Sequence, residues 1–204
     1  MSQLKLTADS GGGTVAIKGP ASTTGNAAIE LTVPGTGSGT LAVGDTGKIL
    51  QVVSTTKTDT ASFASANTSN FTDISGLSVS ITPSSTSSKI LVVASVAAAV
   101  GTGSLHVRLA RGSTGLAVGD SSSNRLSSTM SRRSASSIYN LEITPMSFNF
   151  LDSPNTTSAT TYKVQATAGS TYDTTVYINR SSGDSDYSYG ARVASTITVM
   201  EVAA

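Results

Sequence analysis

Along most of this chain apolar and polar positions alternate in short runs, and apolar residues nowhere recur at helical spacing beside good helix formers. Leu77, Val79 and Ile81 stand at every second position, separated by Ser78 and Ser80. Ile197 and Val199 alternate in the same way with Thr196, Thr198 and Met200. A period of two puts the apolar set on one face of a pleated strand. The pattern predicts strands over Lys48–Thr55, Phe71–Ile74, Leu77–Ile81, Lys89–Ala98, Leu105–Ala110, Leu116–Val118, Ile138–Ile143, Met146–Leu151, Tyr162–Ala168, Thr175–Asn179 and Thr196–Val202. Ser75-Gly76, Pro83-Ser84-Ser85, Arg111-Gly112-Ser113 and Ser153-Pro154-Asn155 supply turn chemistry between them. The most apolar run, Ile90 to Val100, is too short to span a membrane and reads as a buried central strand. Many short strands at regular spacing predict an all-β fold, with residues 46–204 forming an antiparallel, jelly-roll-like sandwich.

Residues 1–45 follow a different pattern. Three short β-like pieces, Leu4–Ala8, Thr14–Lys18 and Ala27–Val33, are divided by Gly11-Gly12-Gly13, Gly19-Pro20 and the run Pro34 to Gly39. Too few apolar side chains stand here to close a core in one copy. Ile29, Leu31 and Val33 alternate, so one face of one strand asks to be buried against another chain. The segment reads as a short, extended attachment and oligomerisation piece, with a loose tail as the competing reading.

Composition sharpens the expectation of assembly. Charged residues make up 12% of the chain, against about 25% in an ordinary soluble domain. The net charge is +1, which gives no electrostatic reason to expect nucleic acid as partner. A surface with few charges and almost no net charge does little to oppose self-association, so a homotrimer is expected. Cysteine is absent, which excludes disulfides and thiolate metal sites. The start, Met1-Ser2-Gln3-Leu4-Lys5, lacks a secretion signal, and no stretch predicts membrane insertion; synthesis in the cytoplasm is expected.

Candidate chemistry is sparse. His106 is the single histidine; in a strand it shares a face with Arg108, opposite Leu105, Val107 and Leu109, on the solvent side or at a subunit contact. One histidine builds neither a histidine-rich metal site nor, alone, a triad. Gly11-Gly12-Gly13 precedes a β-like run, so the helix N-terminus that would hold phosphate does not follow. No cofactor, metal or catalytic activity is expected. Asp184 and Asp186 are the one close carboxylate pair, beside Tyr187 and Tyr189 in a loop from Ser181 to Arg192. Carboxylates accept hydrogen bonds from sugar hydroxyls and an aromatic face covers the C–H side of a pyranose, so these four are candidate glycan contacts. The pair also admits a calcium reading, but without the later acidic ligand of an EF-hand loop. A polar loop whose tyrosines pack on a neighbour is the third reading. Arg132 and Arg133, with Arg125, fall in a second long loop, Gly119–Ser137, and form a candidate anion contact for acidic surface polysaccharide or a capsid neighbour, with solvated loop charge as the competing and commoner reading.

Several stretches carry a family resemblance. LKLTADSGGGTVAIKGPASTTGNAAIELTVP, from Leu4, resembles a segment of tail-fibre and related structural proteins of bacteriophages, notably cyanophages. KILQVVSTTKTDT, FTDISGLSVSITPSSTSSKILVVASV, LDSPNTTSATTYKVQA and TVYINRSSGDSDYSYGARVASTITVMEV resemble a domain at the C-terminal ends of such proteins. The resemblance covers nearly the whole chain. It implies a virion component, displayed on the particle and released by lysis, with a β-sandwich distal domain, trimeric, and without a catalytic motif. Two placements follow: a short tail fibre or tip that attaches to host-surface polysaccharide, or a head fibre or capsid decoration protein held to other virion proteins by residues 1–45.

Overall fold

In the computed structural model, residues 47–65, 70–134, 141–169, 175–188 and 190–204 are described. The predicted attachment segment with Ile29, Leu31 and Val33 lies outside the described residues, as does Tyr189. The described residues form eleven strands: β1 Ile49–Lys57, β2 Ala61–Ala64, β3 Thr72–Ile81, β4 Lys89–Ala99, β5 Gly103–Arg111, β6 Thr114–Leu116, β7 Met130–Ser134, β8 Thr144–Asp152, β9 Thr160–Ala168, β10 Thr175–Ile178 and β11 Ser195–Val202. Every pairing is antiparallel.

Strand order makes this an antiparallel sandwich of the jelly-roll kind. In the first sheet β11 lies between β1 and β4, and β8 covers the far edge of β4 from Ile90 to Ala98. The second sheet runs β3, β9, β5, with β6 and β7 sharing the outer edge of β5. Chain neighbours β3 and β4, β4 and β5, and β8 and β9 therefore sit in opposite sheets, as two interleaved Greek keys require. β10 and β2 extend the first sheet beyond β11, through the last residues of β4.

Alternation builds the core. Ile90, Val92, Ala94, Val96 and Ala98 of β4, Ile197 and Val199 of β11, and Met146 and Phe148 of β8 point inward from the first sheet. Ile74, Leu77, Val79 and Ile81 of β3, Leu105, Val107 and Leu109 of β5, and Tyr162, Val164, Ala166 and Ala168 of β9 meet them from the second. Burial of each Val, Leu or Ile side chain stabilises by about 1.5–3 kcal/mol, which is what holds the sheets together.

The structure corrects the sequence reading at four places. Phe71–Ile74 and Leu77–Ile81 are parts of one strand. Asp73 pairs with Gln165 and Ser78 with Lys163, so β3 carries extra residues in a bulge, and Gly76 at φ +80° makes the turn inside it. Ile74 and Leu77 both reach the core although three positions apart. β2 and β7 have no clear predicted counterpart, because ASFA and MSRRS offer almost no apolar alternation. The small strand predicted at Leu116–Val118 is Thr114–Leu116, ended by Ala117 at φ 50°. Of the predicted strand Ile138–Ile143, residues 138–140 lie outside the described residues and 141–143 precede β8 without strand structure.

The two ends of the sandwich differ in what closes them. At one end Glu201, fully buried on the inner face of β11, accepts hydrogen bonds from Gln51 Nε2 (2.5 Å), the Ser84 amide (2.7 Å) and the Ser84 hydroxyl (2.6 Å). Burial alone would raise its carboxyl; the donors Gln51, Ser84 and Ser88 outweigh it and hold the pKa at about 2. Beside it Asp152 of β8 accepts from the Tyr162 hydroxyl and from Arg111 Nη1, both at 2.7 Å, tying the first sheet to the second. The four connections at the opposite end, β1–β3, β4–β5, β7–β8 and β9–β11, include the candidate loop.

Candidate functional site

The Ser181–Arg192 loop grows from a fixed root. β10 and β11 pair with the same edge of β4 but leave a gap between them at Ala97. Asn179 and Ser195 fill it. The Asn179 amide donates to Ala97 O (2.9 Å), and the Ala97 amide donates to Ser195 Oγ (2.9 Å), whose hydroxyl donates to Asn179 Oδ1 (2.6 Å). Asn179 Nδ2 then donates to Lys57 O and Asp59 O, at 2.8 and 2.9 Å, so the end of β1 is held as well. Asn179 sits at φ 61°, a left-handed conformation that asparagine tolerates better than most residues. Both ends of the loop are closed by a third bond, from the Val193 amide to Asn179 O (3.0 Å).

Above that root the loop folds around one carboxylate. Asp184 Oδ2 lies 3.1 Å from Arg180 Nη1 and 2.9 Å from Arg192 Nη2, and its amide donates to Ser181 Oγ. The Arg180 guanidinium is also stacked on the Tyr177 ring, 4.8 Å from its centroid, which fixes the cation from the strand side. Asp184 takes φ 43° to reach this position. Ser181, Asp184, Ser185, Asp186, Tyr187 and Arg192 border a half-open, polar concavity of about 300 Å³. Its other walls are Gly190 and Ala191. Asp186 and Tyr187 are exposed at the rim, Tyr187 to 54%. The combination offers a neutralised carboxylate, an exposed carboxylate, a guanidinium and an aromatic surface within one depression.

Three of the four candidate loop residues, Asp184, Asp186 and Tyr187, are thus brought together, and Tyr189 lies outside the described residues. Two guanidinium groups on Asp184 already supply the positive charge a metal ion would bring, which disfavours calcium there. Among the described residues no group of three His, Asp or Glu is placed to hold a metal. Arg180 and Arg192 were not singled out from the sequence. The available signal was the spacing of two cations, four before and eight after the same aspartate, in a short loop.

Arg132 and Arg133 do not lie in a loop. They belong to β7, on the edge of the second sheet, where they pair with Leu105 and Ser104. Arg132 Nη2 forms an ion pair with Glu142 Oε1. The predicted Gly119–Ser137 loop is in fact an excursion off the sheet edge, with Arg125 inside it, followed by β7. Thr129 fastens the excursion: its hydroxyl donates to Leu116 O and accepts from the Leu109 amide, both at 3.0 Å. His106 shares the outer face of β5 with Arg108 as expected, but it is half-buried and its Nδ1 finds no hydrogen-bond partner among the described residues. Burial holds its pKa below the ordinary histidine value. A Cβ at Gly169 would stand 2.6 Å from His106 Nε2, so a larger residue there would have to displace the ring.

No protein-family model matches this chain, and no curated protein matches it either.

Proposed function

We propose that this protein is a bacteriophage virion component, a short trimeric tail fibre or tip, whose jelly-roll domain attaches the particle to glycans of the host surface through the Ser181–Arg192 loop. The observation that carries the reading is the gathering of Asp184, Asp186, Tyr187 and Arg192 around one polar concavity at the loop-rich end of the sandwich. Neutral and acidic sugars present hydroxyl donors, ring C–H groups and carboxylates, and the loop offers an acceptor, an aromatic face and a guanidinium for them. The rigid root at Asn179 and Ser195 supports the reading, since a binding loop on a fixed scaffold loses less entropy when it engages a ligand.

The test is adsorption of particles that carry Asp186→Ala with Tyr187→Ala. Normal assembly with adsorption reduced at least tenfold is the expected result. Unchanged adsorption removes the site. Labelling of this chain on intact particles separates the tail reading from capsid decoration: a few copies at the tail support the first, and many copies over the head replace it with the second.

A further inference from the structure

The outer faces of the two sheets have opposite chemistry. On the second, Lys163 and Gln165 both donate to Asp73 at 2.6 Å, Arg108 donates to Gln165 Oε1, and the Arg108 guanidinium stands 4.2 Å from the centre of the Phe71 ring. That face is charged, and Asp73, Lys163 and Arg108 on it are satisfied within the chain. The outer face of the first sheet is neutral over three successive rows, with Lys89, which donates to Ser153 Oγ, at its margin beside Val202. Register places Val52, Met200, Leu91 and Leu151 in a single row across β1, β11, β4 and β8. The next row reads Ser54, Thr198, Val93 and Asn149, and the one after it Thr56, Thr196, Ser95 and Ser147. Val52 and Leu151, the two ends of the apolar row, are 56% and 53% exposed. Val93, Leu50 and Ile49 enlarge the patch.

We propose that this face is the surface on which copies of the chain pack together, the β1–β11 half of one copy against the β4–β8 half of the next. The proposal rests on the trimeric part of the reading above and not on glycan attachment. Its occupant follows from charge. Three successive rows carry no ionisable group, so a second copy meets the face without like-charge repulsion. A charged partner would leave its charges desolvated and unpaired. The size fits as well. Four strands about 4.8 Å apart and three to four rows about 7 Å apart cover on the order of 400–500 Å² in projection, and protruding side chains add to it. That is half or a little more of the ~800 Å² per partner of a standard interface, with the apolar row and Val93 at one side and hydroxyl and amide side chains over the rest. The edges agree. β1 and β8 bound this sheet with nine residues each, and their only charged residues, Lys57 and Asp152, are buried at their last positions. Neither edge carries the exposed lysines that commonly keep a free strand from pairing. A head-to-tail contact of unlike halves closes into a ring of three copies when each is rotated by about 120° from the last, which an identical-patch contact cannot do.

The absence of cysteine makes the test clean. The full-length protein is expected to sediment as a trimer at micromolar concentration, and Val52→Asp with Leu151→Asp as a monomer with unchanged circular dichroism. Thr161→Asp, the same charge on the other sheet's outer face, is expected to remain trimeric. In the Val52→Cys, Leu151→Cys protein, oxidation is expected to give a covalent trimer on a non-reducing gel, while each single cysteine variant gives none. A Val52→Asp, Leu151→Asp protein that stays trimeric overturns the proposal. So does a dimer that Val52→Cys alone can cross-link, which would make the contact one of identical patches. A monomer whose two cysteines resist maleimide without linking copies assigns the face to residues 1–46 of the same chain and also overturns it. A trimer that dissociates as expected but whose particles ignore the host refutes the attachment reading and leaves the face standing.

Discussion

The two ends of the sandwich solve the same problem with different materials. Where β1 begins and β8 and β11 finish, buried carboxylates do the closing: Glu201 gathers Gln51 and Ser84, and Asp152 gathers Tyr162 and Arg111. At the other end, a neutral hub of Asn179 and Ser195 closes the seam, and the carboxylate Asp184 stands outside it, on the loop. Charge is structural at the first end and available to a ligand at the second. The contrast teaches that a protein with so few charged residues spends them unevenly. Glu201 and Asp152 at the clamped end are buried, whereas Asp186 and Arg192 at the loop end reach solvent.

The sharpest way to break this contrast is to remove Glu201. Glu201→Ala leaves the Ser84 amide and hydroxyl and Gln51 Nε2 without their acceptor, and breaking such a cluster costs about 3–4 kcal/mol. Urea unfolding should show the loss as a lower midpoint at unchanged slope. The same group predicts a pH dependence. Its carboxyl sits at about 2 folded, against 4.5 for an ordinary glutamate. A depressed folded pKa contributes stability that is fully present above about pH 4.5 and is lost as pH falls towards 2. Asp73, also held low by Lys163 and Gln165 against the effect of burial, adds in the same direction. Glu201→Gln should therefore flatten the fall in stability between pH 5 and pH 3 but not abolish it. Equal acid sensitivity in both proteins would show that the clamp does not carry the charge effect.

Next in size is the neutral hub. Asn179→Ala removes donors to Lys57 O and Asp59 O and the acceptor for Ser195 at once, and it places alanine in a left-handed conformation. Its expected cost is about 2–3 kcal/mol. The accompanying signature is faster hydrogen exchange at the Ala97 and Val193 amides, both of which depend on the hub. Loss of stability without that local change would mean that Asn179 does not fasten the loop.

How much of this was legible beforehand follows from what alternation can encode. β4, β9 and β11 could be read because one or both of their faces are buried, and Ile90–Val100 could be placed at the centre of a sheet for the same reason. β7 could not. It is an edge strand, so its partner is β5 and not the core, and Ser131-Arg132-Arg133-Ser134 carries no period. The bulge in β3 hid the continuity of one strand, because Gly76 reads as a turn from sequence alone. At the site, Asp184, Asp186 and Tyr187 stood close in sequence and stayed close in space. Arg132 and Arg133 were grouped with them on charge, but β7 and the ion pair to Glu142 give those residues another setting. The roles of Glu201 and Asn179 had no local signal, since Gln51 and Ser84 lie 150 and 117 residues from Glu201, and Lys57 and Asp59 lie 122 and 120 residues from Asn179.

A smaller effect belongs to Tyr162. Its hydroxyl, fully buried, donates to Asp152, and burial followed by that carboxylate raises its pKa well above the usual tyrosine value. Tyr162→Phe keeps the ring in the core and leaves Arg111 on Asp152. The cost should be about 1–2 kcal/mol, clearly less than for Glu201→Ala, because one donor of a charged group is lost and the other stays. A cost as large as that of Glu201→Ala would mean that the inter-sheet tie, and not the clamp on the β3–β4 connection, closes this end.

The smallest stability effect is expected where the functional effect should be large. Asp184→Gly removes the acceptor for Arg180 and Arg192 and suits the φ of 43° there, and because the pair is partly exposed, such ion pairs stabilise by about 0–1 kcal/mol. The Arg180 guanidinium keeps its seat on Tyr177. The urea midpoint should therefore move little, while Arg192, released from its partner, no longer holds the wall of the concavity. Adsorption of particles carrying Asp184→Gly should fall several-fold with stability nearly unchanged. If the same substitution unfolded the domain as Glu201→Ala does, the two ends would be alike, and the separation of structural from available charge would be lost. If it altered neither stability nor adsorption, the available charge would reside in Asp186 and Arg192 alone.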